Sequence, residues 1–205
     1  DVSLGRPVSL GRRVIVVGGG NVAIDVARSA LRVGAEAVSL VCLEKRSEMP
    51  AWEDEIKEAL EEGVGLINCF GPRRFMEESG RVAGLEFKHC LSVFDENHRF
   101  NPCYDECVLN FIEADNIIVA IGQGPDVGFA QGEGITLTSR GGMVADAVTH
   151  QTPVADVFAG GDAVYGPRSV IEAVGAGKSS ARSIHCYLKG LTLPRNSQVP
   201  VRRMR

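Results

Sequence analysis

The chain has 205 residues, 44% hydrophobic and 23% charged, with 22 Lys and Arg against 26 Asp and Glu for a net charge of −4. That length can bury a real core in one large or two small domains, and the mild acidity gives no reason to expect nucleic acid as a partner. No apolar run approaches the roughly 20 residues that cross a bilayer, and no signal peptide opens the chain, so no membrane span and a cytoplasmic location are expected.

Residues 1–12, DVSLGRPVSLGR, are polar, interrupted by glycine and proline, and read as a linker. Val14, Ile15, Val16 and Val17 then form a β-branched run without polar alternation, which predicts a strand buried on both faces of a parallel sheet. The run enters three consecutive glycines and leaves as a helix. Ala23, Ala27, Ala30 and Leu31 make its apolar stripe, Asp25, Arg28, Ser29 and Arg32 its polar side, and Gly34 its stop.

The junction has the spacing Gly18-x-Gly20-x-x-Ala23. In such a dinucleotide fingerprint the first glycine permits the tight turn and the second has no Cβ to obstruct a pyrophosphate. The small third residue lets the helix approach its strand. The amides of Asn21 and Val22 then face the anion at the positive end of the helix. Three glycines also suit a plain flexible turn; the strand before them and the helix after them favour the nucleotide.

Residues 37–43 read as the second strand, followed by Glu44, Lys45 and Arg46 where this architecture reaches the adenine ribose. An acid at the strand's end accepts from the 2′-hydroxyl and favours NAD, whereas basic side chains hold the 2′-phosphate of NADP. The triplet contains both kinds. Should the strand end at Val41 or Cys42, Glu44 falls slightly late for the first role, so both coenzymes stay open. Solvated loop charges are the plain alternative for any one of the three.

A second helix is expected over residues 52–62, with Ile56, Ala59 and Leu60 inside and Glu58, Glu61 and Glu62 outside; Gly63 ends it and residues 64–70 read as a third strand. Residues 74–112 then change to short alternating segments, 82–87, 91–94 and 107–112, between the turns Glu78-Ser79-Gly80 and Asp95-Glu96-Asn97. That texture predicts a small antiparallel meander in place of a crossover helix. Residues 116–122, NIIVAIG, read as another buried parallel strand, with Ala120 and Gly122 small where it points back to the nucleotide turn.

Beyond it, Gly124-Pro125-Asp126 opens a loop, and residues 135–137 and 143–144 read as short strands around Gly141-Gly142. Residues 157–162, VFAGGD, predict a buried strand ending at Gly161 and Asp162. Ser169 and Glu172 have capping-box spacing at the head of a last helix that runs to Leu188 and Gly190. Inside it Gly175 and Gly177 each cost about 1 kcal/mol relative to alanine, which points to something large and flat beside them. A carboxylate followed by a helix start supplies an acceptor for a flavin ribityl hydroxyl and a dipole for charge at the flavin pyrimidine edge. Asp162 satisfying only turn amides is the alternative.

The cysteines, Cys42, Cys69, Cys90, Cys103, Cys107 and Cys186, are expected to be reduced thiols. Cys103 and Cys107, expected in a loop, match no usual zinc or cluster spacing with Cys90. No acid/base pair or facing Cys-x-x-Cys stands out, so neither a catalytic side chain nor a metal ligand is assigned. Arg202, Arg203 and Arg205 read as a solvated tail.

Four stretches occur in order: VIVVGGGNVAID (14–25), EMPAWEDEIKEALEEGV (48–64), NIIVAIGQGPD (116–126) and DVFAGGDAVYGPRSVIEAVGAGKSSARSI (156–184). Together they resemble the glutamate synthase small-subunit (beta chain) family of FAD- and NAD(P)H-dependent oxidoreductases, which includes electron-transfer flavoprotein subunits paired with iron-sulfur proteins. The resemblance covers residues 1–188.

It implies an α/β fold: a Rossmann-like three-layer NAD(P)-binding domain with the meander, residues 13–122, inserted into an FAD-binding domain. Residues 123–190 are then the carboxyl-terminal half of that FAD-binding domain, and residues 191–205 a tail. It also implies that Gly18, Gly20, Asn21, Val22 and Ala23 hold the coenzyme phosphates and that Ala120, Ile121 and Gly122 lie beside the nicotinamide path. Gly161 and Asp162 would contact the ribityl chain, and Ser169 and Val170 would start a helix near the isoalloxazine. The implied cofactors are NADP or NAD, and FAD. The implied reaction is hydride transfer from NAD(P)H to FAD, with electrons passing to an iron-sulfur protein or larger catalytic subunit.

Two departures stand out. Leu43 and Glu44 occupy the place where many relatives have paired arginines for the 2′-phosphate, leaving Arg46 two residues on; the resemblance itself leans to NADP(H) through Glu44, Lys45 and Arg46. The family's FAD glycine fingerprint and cluster-binding cysteine segment are not among these residues, so the chain is expected to be the carboxyl-terminal portion of a longer protein with an incomplete FAD site. The alternative is a nicotinamide-nucleotide-binding module with neither FAD nor activity of its own.

Overall fold

The computed structural model describes residues 4–130 and 132–194. The chain divides into two compact units, Asp1–Gly122 and Gln123–Arg205. The arginines at 202, 203 and 205, and most of the expected tail, lie outside the described residues.

The first unit contains, in order, β1 (Arg13–Val17), α1 (Asn21–Arg32), β2 (Ala37–Val41), α2 (Glu53–Glu61), β3 (Gly65–Ile67), β4 (Phe70–Glu78), β5 (Arg81–Phe94), β6 (Phe100–Glu113) and β7 (Asn116–Val119). Four strands form a parallel sheet in the order β3-β2-β1-β7, with Val16 opposite both Leu40 and Ile118. β1 has no polar alternation because both its faces are covered. Val14 and Val16 pack with Ala23, Ile24, Ala27, Ile56 and Ala59 on the helical side, while Ile15 and Val17 pack with Leu85, Phe87 and Ala114 of the meander. Helices, parallel sheet and meander are therefore three layers around one strand.

The two helices are tied by charge as well as by apolar packing. Arg28, on α1, contacts Glu55 at 2.9 Å, Glu58 at 2.7 Å and Glu62 at 2.8 Å, and Arg32 contacts Glu62 at 2.5 Å.

Several strand expectations need correction. β3 covers only three residues; the chain then turns through Cys69, at φ +62°, and starts β4 at Phe70, so residues 64–70 are not one strand. The segments 82–87 and 91–94 belong to a single strand, β5, whose register slips against β6 between Lys88 and His89 and between Cys90 and Ser92. At the first slip the extra residues lie on β6, where Leu109 gives way to Asp105, and at the second one extra residue lies on β5; the alternation along β5 is broken there, which is why one strand reads as two. β6 is longer than residues 107–112 and carries Cys103 and Cys107 on a strand, not in a loop. β7 stops at Val119 and is an edge strand of this sheet, so residues 116–122 are not a buried strand; Ile121 is 74% exposed.

The second unit has a small core of Val127, Ala130, Met143 and Ala159, with Ile135, Leu137, Ala145 and Val164 against it. Its helices are α3 (Asp162–Tyr165) and α4 (Val170–Leu188). The short strands expected at 135–137 and 143–144 reduce to one antiparallel bridge, Leu137 to Met143, with Gly141 at φ +81° in the turn. Residues 157–162 do not form the expected strand. Among the described residues they make one bridge, Phe158 to Gln151, with no second strand beside them to extend a ladder. No helix among the described residues is long and apolar enough to cross a membrane.

Candidate functional site

The glycine turn lies where β1 gives way to α1, and each of its residues is constrained differently. Gly18 sits at φ +142°, its N–H donating to the Val41 carbonyl at 2.9 Å. A Cβ there would stand 2.9 Å from the carbonyl carbon of Ala120 and 3.3 Å from the Cβ of Ala23. Ala120 is held in place by its own N–H, which donates to Val17 at 2.8 Å. Gly18, Ala23 and Ala120 are thus brought together, and the close packing leaves room for nothing larger than glycine at position 18.

Gly20 is the opposite case. It is the N-cap of the twelve-residue α1 with ordinary extended dihedrals, φ −92° and ψ 173°, and a Cβ built on it meets nothing within 4 Å. No side chain caps α1, and among the described residues no hydrogen bond takes up the N–H groups of Asn21 and Val22. Orphan amides at the positive end of a helix, beside a residue whose missing Cβ leaves open space, fit the pyrophosphate of a dinucleotide. Val22 projects outward and Ala23 is fully buried.

A loop is stitched to this turn. Ala51 donates its N–H to the Gly19 carbonyl at 3.1 Å, and Trp52 donates its N–H to Asn21 Oδ1 at 2.9 Å. The Asn21 side-chain oxygen is therefore committed to positioning the loop before α2, leaving its backbone N–H and its Nδ2 amide as donors. Trp52 is itself 71% exposed beside the turn.

The triplet after β2 does not divide as its spacing suggests. β2 does end at Val41, yet Glu44 is not too late to reach the turn: one of its carboxylate oxygens lies 2.6 Å from where a Cβ on Gly19 would stand. The Glu44 backbone is anchored, its carbonyl accepting from Cys69 N–H at 3.2 Å and from Asn68 Nδ2 at 3.0 Å. Arg46 grips Glu53 through both guanidinium nitrogens, at 2.9 and 2.6 Å, and this pairing holds the Glu53 carboxyl below its usual range. Lys45 lies 3.6 Å from Glu48. Beneath them Cys42 is buried, and burial pushes its thiol up to about 12, with the nearby Glu44 charge adding to the rise.

In the second unit, Gly161 adopts φ +61° and Asp162 begins the short α3, with its side chain exposed, so the carboxylate follows a bend and not a strand end. Ser169 and Glu172 form the expected capping box: the Ser169 hydroxyl accepts from Glu172 N–H, and Glu172 accepts from Ser169 N–H at 3.1 Å. Val170 is 79% exposed. A Cβ on Gly175 or Gly177 meets nothing within 4 Å, so neither packs against a described residue. The close approach to α4 comes instead at Gly160, where a Cβ would stand 3.2 Å from Ala176 Cβ and from Ser180 Oγ.

Residues 3–177 match the model of the family described as pyridine nucleotide-disulphide oxidoreductase. The chain belongs to that family. The β subunit of NADP(+)-dependent formate dehydrogenase from Moorella thermoacetica is 42% identical over 95% of this chain and 28% of its own length. The β subunit of NADPH-Fe(3+) oxidoreductase from Geobacter sulfurreducens is 35% identical over 92% of this chain and 32% of its own. The glutamate synthase [NADPH] small chain of Azospirillum brasilense is 33% identical over 87% and 38%, in line with the resemblance in the sequence.

The chain thus spans about three tenths of the first relatives' length. Among solved structures, T. acidophilum thioredoxin reductase superposes with a TM-score of 0.71 at 22% identity, covering 89% of this chain and 54% of that one. That similarity establishes the FAD/NAD(P)-type α/β fold. The family comprises NAD(P)H-dependent oxidoreductases that use FAD and NADP(H), and these relatives are named for NADP(+) or NADPH.

Proposed function

We propose that residues 13–122 form the nicotinamide-coenzyme domain, and residues 123–190 the carboxyl-terminal part of the FAD-binding domain, of a flavoprotein oxidoreductase. In it hydride passes from NAD(P)H to FAD and electrons pass on to an iron-sulfur centre or partner subunit. The observation that carries this reading is the turn from Gly18 to Ala23: open at Gly20, closed at Gly18, with the Asn21 and Val22 amides unengaged among the described residues. The subunit names of the Moorella and Geobacter relatives support the onward electron transfer.

When bound, the two cofactors would supply the redox chemistry, hydride from the nicotinamide and single-electron release from the flavin. The chain's contribution is to hold the pyrophosphate at the head of α1, to keep Ala120, Ile121 and Gly122 beside the nicotinamide path, and to present Gly161, Asp162, Ser169 and Val170 to the flavin. The test is to isolate the protein with whatever coding sequence naturally flanks it. A yellow protein whose flavin absorbance bleaches on addition of NADH or NADPH is expected; a colourless protein that oxidises neither coenzyme overturns the reading.

A further inference from the structure

We infer that this site selects NADH over NADPH, with Glu44 as the specificity-determining residue and Arg46 withheld from the coenzyme by Glu53. The inference rests on the proposed coenzyme site and runs against the coenzyme in the relatives' names.

Three observations carry it. The Glu44 carboxylate stands against Gly19, and among the described residues no hydrogen bond or ion pair takes it up. A carboxylate in that place accepts from the ribose 2′-hydroxyl and repels a 2′-phosphate. Arg46, whose guanidinium suits a 2′-phosphate, is held bidentately by Glu53 in a fork-to-fork geometry that fixes its orientation. Lys45 is beside Glu48. With Glu55 paired to Arg28, residues 44–54 still carry Glu44, Glu48, Glu53 and Asp54 against Lys45 and Arg46, so a dianionic phosphate would enter a net negative field. Freeing Arg46 for that phosphate would leave the Glu53 charge unpaired near it.

The test is titration of the chain with NADH and with NADPH, read by isothermal calorimetry and by quenching of Trp52, the one tryptophan in the sequence. NADH is expected to bind at least about 10-fold more tightly, and Glu44→Ala to bring the two close to parity. Glu53→Gln, which releases Arg46, is expected to tighten NADPH several-fold and leave NADH unchanged. Raising the salt concentration is expected to narrow the NADH preference, because screening weakens repulsion of the 2′-phosphate.

NADPH binding as tight as NADH, or a preference for NADH that widens with salt, overturns the inference while leaving the coenzyme site intact. Failure of both coenzymes to bind overturns the site, and the inference with it. The wild-type ratio and its salt dependence need no variant, so a misfolded substitution does not shield the proposal.

Discussion

The carbonyl of Ala120 occupies the space that a side chain on Gly18 would need, so the edge of β7 and the glycine turn fix one another. Gly18→Ala would meet that carbonyl and force a non-glycine residue to φ +142°. A loss of about 1–3 kcal/mol for the strained backbone alone is expected, seen as a lower urea midpoint. An unchanged midpoint would contradict the packing described.

Gly20→Ala separates binding from folding. Position 20 has dihedrals any residue adopts and open space around its Cβ. Replacing a glycine N-cap with alanine should cost under about 1 kcal/mol of stability. Coenzyme affinity should fall about 10-fold or more, since the methyl enters the pyrophosphate's place. Paired denaturation and calorimetric titrations check both halves.

Thiol reactivity should follow burial. Cys103 and Cys107 are exposed on β6, whereas Cys42 is buried with its thiol raised to about 12. The thiolate is the reactive form, so at about pH 8 iodoacetamide should modify Cys103 and Cys107 and reach Cys42 only in denaturant. Peptide mass spectrometry would show this order, and early labelling of Cys42 would contradict it.

The α1–α2 ion pairs predict an acid sensitivity with a definite sign. Hydrogen bonds from Arg32 and Arg28 hold the Glu62 carboxyl below its usual range. A lowered folded value means that the stabilisation is present above the unfolded carboxylate value of about 4.3 and is lost as pH falls through the folded value. Arg28→Ala should therefore lower the urea midpoint at neutral pH and converge on wild type once the carboxylates are protonated. Equal differences at both pH values would contradict the linkage.

The parts legible in the sequence were those fixed by local chemistry. Val14 to Val17 announce a doubly buried strand because β-branched residues occupy both faces, and Ser169 with Glu172 announce the head of α4 because a capping box is a contact across three residues. The meander was visible as a texture, but bulges at His89 and Ser92 disguised β5 as two strands. Long-range placement was not legible. That Glu44 folds back onto Gly19 depends on its carbonyl being held by Asn68 and Cys69, residues more than 20 positions away. The bend at Gly161 is not legible, because an apolar run does not reveal whether neighbouring strands lie beside it.

On the proposed reading the turn from Gly18 to Ala23 holds a nicotinamide coenzyme, with Gly20 keeping the pyrophosphate's place open. Calorimetric titration of the wild-type protein and of Gly20→Ala with NADH decides it. The predicted result is one NADH per chain, bound about 10-fold or more weakly by Gly20→Ala. NADH binding indifferent to Gly20→Ala, or no NADH binding at all, would contradict it.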